Sequence, residues 1–261
     1  MPELLEIEAY RRLAEAALHR PIEAVHAPDA WYLKGGLDAA TLAGAVVGRS
    51  FTAARRIGKL LLLDTSDDGP VVALRFGMTG RLVVDGTPGV ERLEYGSSRE
   101  EPAWVRVAFR FADGGELRVV DPRRLGGVEL DPDESRLGVD AASVDLAGLR
   151  DALAGSRVAL KARLLDQRRL AGVGNLLADD ALWRARLDPA REAGSLTPAE
   201  LRRLHKALAA TLAELGARGG SHTGVLQPER HRDGRCPRCG TLLLRRTIGG
   251  RTTYSCPRDQ R

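Results

Sequence analysis

Residues 105–120 read Val-Arg-Val-Ala-Phe-Arg-Phe-Ala-Asp-Gly-Gly-Glu-Leu-Arg-Val-Val. From Val105 to Phe111 a large apolar side chain takes every second position, the period of a strand with one buried face. Asp113-Gly114-Gly115 then supplies residues that tolerate the backbone of a tight turn, and residues 116–120 resume the β pattern. The stretch predicts a β-hairpin, and a lone hairpin does not hold in water. Short apolar runs upstream, at residues 22–25, 45–52, 60–63, 71–76 and 82–84, provide partners for it. A two-layer β-sandwich is the expected product.

On the amino-terminal side, Leu4, Leu5, Ile7, Tyr10, Leu13, Ala14, Ala17 and Leu18 recur at helical spacing. With Pro2 tolerated in a first turn, they predict a helix to about His19. On the other side, Asp131-Pro132-Asp133-Glu134-Ser135 breaks the β pattern, and helical periodicity dominates residues 146–216. There, Thr197-Pro198-Ala199-Glu200 has the form of a capping box opening a Leu-striped helix. The expected fold is α+β in two domains, an N-terminal helix with a β-sandwich (1–131), a linker (132–145) and a helical domain (146–230). A segment at 231–261 follows that is too short for a core of its own and needs a staple.

The chain has 261 residues, 43% of them hydrophobic, and no apolar run approaching the roughly 20 that a bilayer demands. Its opening, MPELLEIEAYRR, lacks the basic and apolar regions of a secretory signal, so a cytoplasmic protein without membrane contact is expected. The net charge of +5 is unevenly placed. Residues 217–261 hold ten Arg, no Lys and three acids (Glu229, Asp233, Asp259), a local +7 that leaves −2 for everything before it. Guanidinium groups that dense suit phosphate oxygens.

All three cysteines lie in that tail, and an odd number argues against a disulfide framework. Cys236-Pro-Arg-Cys239 and Cys256-Pro-Arg-Asp259 have the spacing C-x2-C-x16-C-x2-D, two knuckles around a predicted hairpin that turns at Gly249-Gly250. One structural Zn2+ held by Cys236, Cys239, Cys256 and Asp259 is expected, although a carboxylate is a harder ligand than a thiolate. A metal-free hairpin, or a site completed by His231, remains open on spacing alone.

Taken in order, six blocks carry a resemblance. MPELLEIE, Arg56-Ile57-Gly58-Lys59-Leu60-Leu61, Phe76-Gly77-Met78-Thr79-Gly80, Asp121-Pro122-Arg123-Arg124-Leu125-Gly126, Leu165-Asp166-Gln167 through Gly172-Val173-Gly174-Asn175, and Arg218-Gly219-Gly220-Ser221 before the ribbon span nearly the whole chain. They resemble the formamidopyrimidine-DNA glycosylase and endonuclease VIII (Fpg/Nei) family.

That resemblance implies a helix-two-turn-helix domain with a zinc-ribbon hairpin, and a bifunctional DNA glycosylase/AP lyase of base excision repair. Its partner would be double-stranded DNA containing a damaged base or abasic site, bound by a monomer. Once Met1 is removed, Pro2 would present a secondary amine to C1′ of the damaged nucleotide. An α-amine titrates near 8, so roughly a tenth of it is neutral at pH 7, far more than of a lysine. Glu3 and Glu6 would move protons and hold the sugar, and Lys59 would stand beside the amine. Lys161, Asn175 and Arg251 would contact DNA, with the glycine-rich turn before Asn175 offering helix-terminal N–H groups to a phosphate. Met78, Arg123 and Leu125 would fill the gap left by the extruded base, Leu125 standing where the family commonly has Phe.

Only fourteen residues separate Ser221 from Cys236, where the 8-oxoguanine branch has a longer segment that caps the purine. Ring-opened purines, oxidised pyrimidines and abasic sites are therefore the expected substrates. A catalytically silent damaged-DNA binder is the alternative of another class, and an unrelated zinc-ribbon RNA binder a third.

Overall fold

A computed structural model describes residues 2–91, 93, 94, 96, 99 and 101–261. Met1, whose removal the expected amine chemistry would require, lies outside them. The chain divides into two compact units, one of Pro2 and Glu6–Glu134, the other of Glu3–Leu5 and Ser135–Arg261. Among the described residues, no helix is long and apolar enough to cross a membrane.

In the first unit, α1 (Leu4–Ala14) ends in a 3-10 turn, and β1 (Ile22–His26) follows. The apolar run at 45–52 is not one strand. Asp38 caps a helix, α2 (Ala39–Val46), by accepting the Thr41 N–H at 2.7 Å, and a turn at Gly48 separates it from β2 (Phe51–Ile57). An alanine-rich helix and a strand start thus merge into one apolar stretch in sequence. Next come β3 (Leu60–Thr65), β4 (Val72–Arg75), β5 (Arg81–Val84), β6 (Thr87–Pro88), β7 (Val105–Phe111), β8 (Glu116–Val120) and β9 (Gly127–Leu130).

They form two sheets, β2-β3-β4-β9 and β1-β7-β8-β5-β6. Phe51 of one sheet meets Phe109 of the other edge to face at 5.3 Å, in a core with Val107, Phe111, Leu61 and Leu63. The predicted hairpin is β7-β8. Its alternation is weaker than expected, because Arg106 and Ala108 are buried as well. Arg106 accounts for this by donating to the Asp121 carbonyl at 2.7 Å and reaching Asp29 at 3.3 Å.

In the second unit, the expected linker contains β10 (Val139–Asp140), which pairs in parallel with β11 (Leu170–Ala171). Helices α3 (Leu146–Leu153), α4 (Leu160–Leu164), α5 (Asn175–Ala185) and α6 (Pro198–Ala217) pack around Leu149, Leu164, Leu177, Leu182, Leu204 and Leu208. Thr197 and Glu200 form the predicted capping box on α6. The hairpin β12 (Leu244–Ile248) and β13 (Arg251–Ser255) turns at Gly249-Gly250, and Cys236, Trp183, Leu226, Leu243, Tyr254 and Cys256 make a small core beneath it. The chain thus has the α+β architecture expected, a sandwich unit and a helical unit that carries the hairpin.

Candidate functional site

Pro2 and Glu3 are both buried, Glu3 with no exposed surface. The Glu3 carboxylate accepts the N–H of Leu176 at 2.9 Å and of Leu177 at 3.1 Å. These donors open α5, where backbone N–H groups lack intrahelical partners and the helix dipole favours a negative charge. Two donors that the sequence offers to a phosphate are therefore taken by a carboxylate of the chain itself. Gly174 is needed for this closeness, since a Cβ there would run into the Glu3 carboxyl group. Asn175 heads α5 with its Oδ1 buried and without a hydrogen bond among the described residues.

Glu6 is 2% exposed on α1. Lys59 is half-buried on the two-residue turn that joins β2 to β3 where Ile57 pairs with Leu60. Gly58 supplies the left-handed φ of +57° for that turn. Arg56 braces it, donating to Gly58 O at 3.0 Å and to Glu8 at 3.2 Å.

Met78, Arg123 and Leu125 lie on two short loops of the sandwich unit. Met78 is half-buried in the turn after β4, while Arg123 is exposed and Leu125 is 51% exposed in the loop before β9. Asp121, fully buried, joins the loops. It accepts Thr79 Oγ1 at 2.6 Å, Arg123 N at 3.2 Å, Leu125 N at 2.9 Å and Gly126 N at 3.0 Å. Sequence reading assigned neither Asp121 nor Thr79 a task. The available signal was an aspartate ahead of Pro-Arg-Arg, where several loop N–H groups need an acceptor.

Lys161 departs from its expected place on a DNA surface. It has no exposed surface, and its ammonium lies 2.6 Å from Asp179 and 2.8 Å from the Thr253 hydroxyl. Burial draws its pKa below the usual lysine value, against the pull of Asp179. Asp179 also pairs with Arg230. A sealed ammonium requires its counterion, so Lys161 fastens α4 and α5 to β13. Arg251, two residues from Thr253, is exposed and unpaired with any acid among the described residues. The arginine-rich tail is correspondingly mixed in use, since Arg230, Arg238 and Arg246 pair with Asp179, Asp259 and Asp188.

The sulfurs of Cys236, Cys239 and Cys256 lie within 4.8 Å of one another, and none forms a disulfide. Cys239 Sγ and Cys256 Sγ are 3.5 Å apart, close to the about 3.8 Å that two thiolates subtend on tetrahedral zinc. Burial pushes the Cys256 thiol up to about 12, while hydrogen bonds with the Thr241 hydroxyl and N–H bring Cys239 down to about 6. Three such thiols side by side are the donor set of a structural zinc ion. Asp259 is not in this group: its carboxylate lies against Arg238 and 3.6 Å from Arg186 Nε. Nor does His231 join it; its Nε2 faces Glu229 at 3.9 Å.

Three family models cover the chain: the formamidopyrimidine-DNA glycosylase N-terminal domain at residues 1–128, the H2TH domain of the same glycosylase at 137–226, and the zinc finger found in FPG and IleRS at 234–261. The formamidopyrimidine-DNA glycosylase of Symbiobacterium thermophilum is 36% identical over all of this chain and 89% of its own length. That of Salinispora arenicola is also 36% identical, over 100% and 96%. Among solved structures, the Lactococcus lactis Fpg with DNA containing an abasic site superposes with a TM-score of 0.83 at 25% identity, covering all of both chains. The same protein with FAPY-dG DNA gives 0.82 at 26% identity over 99% of each. With its sandwich, helical unit and three-thiol ribbon all matched in order, the chain belongs to the formamidopyrimidine-DNA glycosylase family of DNA glycosylases, the enzymes that open base repair.

Proposed function

We propose that the chain is a monomeric, bifunctional glycosylase and abasic-site lyase that works on double-stranded DNA of the nucleoid. The observation that carries this reading is the buried Pro2 joined directly to Glu3, whose carboxylate is immobilised by two N–H groups of α5. A secondary amine attached to so fixed a neighbour has little freedom to wander from its attack position.

The amine lone pair forms the N–C1′ bond while the glycosidic bond breaks and its electrons leave with the base. Opening of the sugar, with a proton delivered to O4′, yields an iminium on Pro2. Loss of a C2′ proton then expels the 3′ phosphate, and a second elimination expels the 5′ phosphate. Glu3 and Glu6 serve the sugar protons, and Lys59 the phosphate beside the lesion. Met78, Arg123 and Leu125 occupy the vacated stack, while Asn175 and Arg251 hold the strand. Residues 1–131 act as the catalytic domain, 132–145 as linker, 146–230 as the helical DNA-binding domain and 231–261 as the ribbon, where Cys236, Cys239 and Cys256 would hold the zinc.

The lesion class follows from the segment between Ser221 and Cys236. Its backbone is drawn onto α5, with Asp180 accepting Val225 N at 2.8 Å, and Leu226 is buried in the ribbon core. A segment so engaged leaves little chain to cap a purine, which favours ring-opened purines, oxidised pyrimidines and abasic sites over 8-oxoguanine.

Borohydride reduction on abasic-site DNA tests the reading. It should trap a covalent protein–DNA adduct, and Pro2→Gly should lose base excision with binding kept. Binding without any adduct would mean a catalytically silent relative.

A further inference from the structure

The two loops of the sandwich unit that carry Met78, Arg123 and Leu125 are 40-odd residues apart in sequence, yet they share one buried anchor. A carboxylate offers about four acceptor positions, and Asp121 uses them on Thr79 Oγ1, Arg123 N, Leu125 N and Gly126 N. The Thr79 bond, at 2.6 Å, has the short length of a hydroxyl on a charged acceptor.

Further contacts tighten the same junction. Gly77 sits directly on the Leu125–Gly126 backbone, where a Cβ would collide, and its φ is +56°. Tyr10, buried on α1, donates its hydroxyl to Gly80 O at 3.1 Å and holds the turn from below. In the other loop, Arg124 takes a left-handed φ of +57°, costly for a residue with a Cβ. It is held there by a bidentate pair with buried Asp29, at 2.7 and 2.6 Å. The loop therefore alternates an exposed Arg123, a tethered Arg124 and an exposed Leu125.

We infer that Asp121 is a positioning residue: through Thr79 it locks the turn at residues 77–80 to the loop at 122–126, so that Met78, Arg123 and Leu125 enter DNA as one pre-formed unit. This rests on the void-filling reading given above. Inserted separately, three side chains on independent loops would each lose conformational freedom at the moment of extrusion; a shared anchor removes that cost in advance.

Thr79→Val cuts the link and leaves the three backbone bonds to Asp121 in place. The probe is a duplex carrying a formamidopyrimidine lesion with 2-aminopurine beside it, read by stopped-flow fluorescence and single-turnover excision. Thr79→Val should slow both the fluorescence rise and excision about tenfold or more. Thr79→Ser, which keeps the hydroxyl, should restore them, and Asp121→Asn should lose more. Borohydride trapping on single-stranded abasic DNA, where no gap is left to fill, should be unchanged by Thr79→Val. Met78→Ala separates the two ideas. If Met78→Ala slows extrusion but Thr79→Val does not, the locking role is overturned and void filling stands. If Met78→Ala has no effect, void filling falls and the inference with it. Lost trapping on single strands by Thr79→Val would show general damage to the fold and overturn the positioning role.

Discussion

Glu3 accepts the backbone N–H of Leu176 at 2.9 Å, across 173 residues of sequence. The residue after the proposed nucleophile is thereby the cap of a helix in the middle of the chain. Glu3→Ala removes the acceptor from two buried N–H groups, each costing about 1–3 kcal/mol when orphaned, and should lower the denaturation midpoint as well as excision. Glu3→Gln keeps one carbonyl oxygen and should retain most of the stability with excision reduced at least about a hundredfold. Urea unfolding and single-turnover excision on the same two variants separate capping from chemistry.

Lys161 and Asp179 form a sealed pair, so breaking it from one side should cost more than deleting it. Asp179→Asn strands both Lys161 and Arg230 and is expected to destabilise the protein by about 3–5 kcal/mol. Lys161→Met in the wild-type background leaves Asp179 paired with Arg230 and should cost less. A double-mutant cycle by chemical denaturation gives the coupling, which should exceed about 1 kcal/mol.

Metal removal should unfold the ribbon first. A strong chelator is expected to release one zinc per chain and weaken DNA binding while the sandwich unit stays folded, as followed by a colorimetric zinc assay and circular dichroism. Asp259→Cys, which would offer a fourth thiolate to the three cysteines, should slow that release. If Asp259 is only the partner of Arg238, Asp259→Ala will release zinc no faster than wild type.

Arg251→Ala should weaken binding to lesion DNA and flatten its salt dependence by about 0.9 in the slope of log K against log salt, the value for one phosphate contact. Arg246→Ala, on the same hairpin, instead removes the pair with Asp188, which lies just after α5, and should act mainly on stability. Titrations from low to moderate salt distinguish the two.

Acid should loosen the start of α6. The Arg191 guanidinium, followed by the Thr197 N–H, holds the Glu200 carboxyl at about 2, below the about 4.3 of an unfolded glutamate. A carboxyl depressed on folding stabilises the protein above its unfolded pKa, and that contribution is lost as pH falls from about 4.3 towards about 2. The thermal midpoint of wild type should drop across this window. Glu200→Gln should flatten that part of the profile while costing about 1 kcal/mol of capping at neutral pH.

Much of this was open to reading from sequence because it depends on neighbours along the chain. The β7-β8 hairpin follows from a two-residue period ending in Asp-Gly-Gly, the α6 start from Thr-Pro-Ala-Glu, and the ribbon from two Cys knuckles. The family was legible for the same reason, since its motifs are short and local. The helix α2 was not, because its Ala-rich turn and the strand after it share one apolar run.

Chain order thus supplies the inventory: which residues are available as nucleophile, acid, wedge, phosphate grip and metal ligand, and on what kind of element each rides. Tertiary structure alone decided their partners. It took Lys161 out of solvent, gave the donors at the head of α5 to Glu3, put Asp259 against Arg238, and made Asp121 the common anchor of two loops. The physical reason is that a charge or a backbone N–H reveals in sequence only that it needs a partner. Which group meets that need is settled when folding removes water from around it and brings distant segments within hydrogen-bond reach.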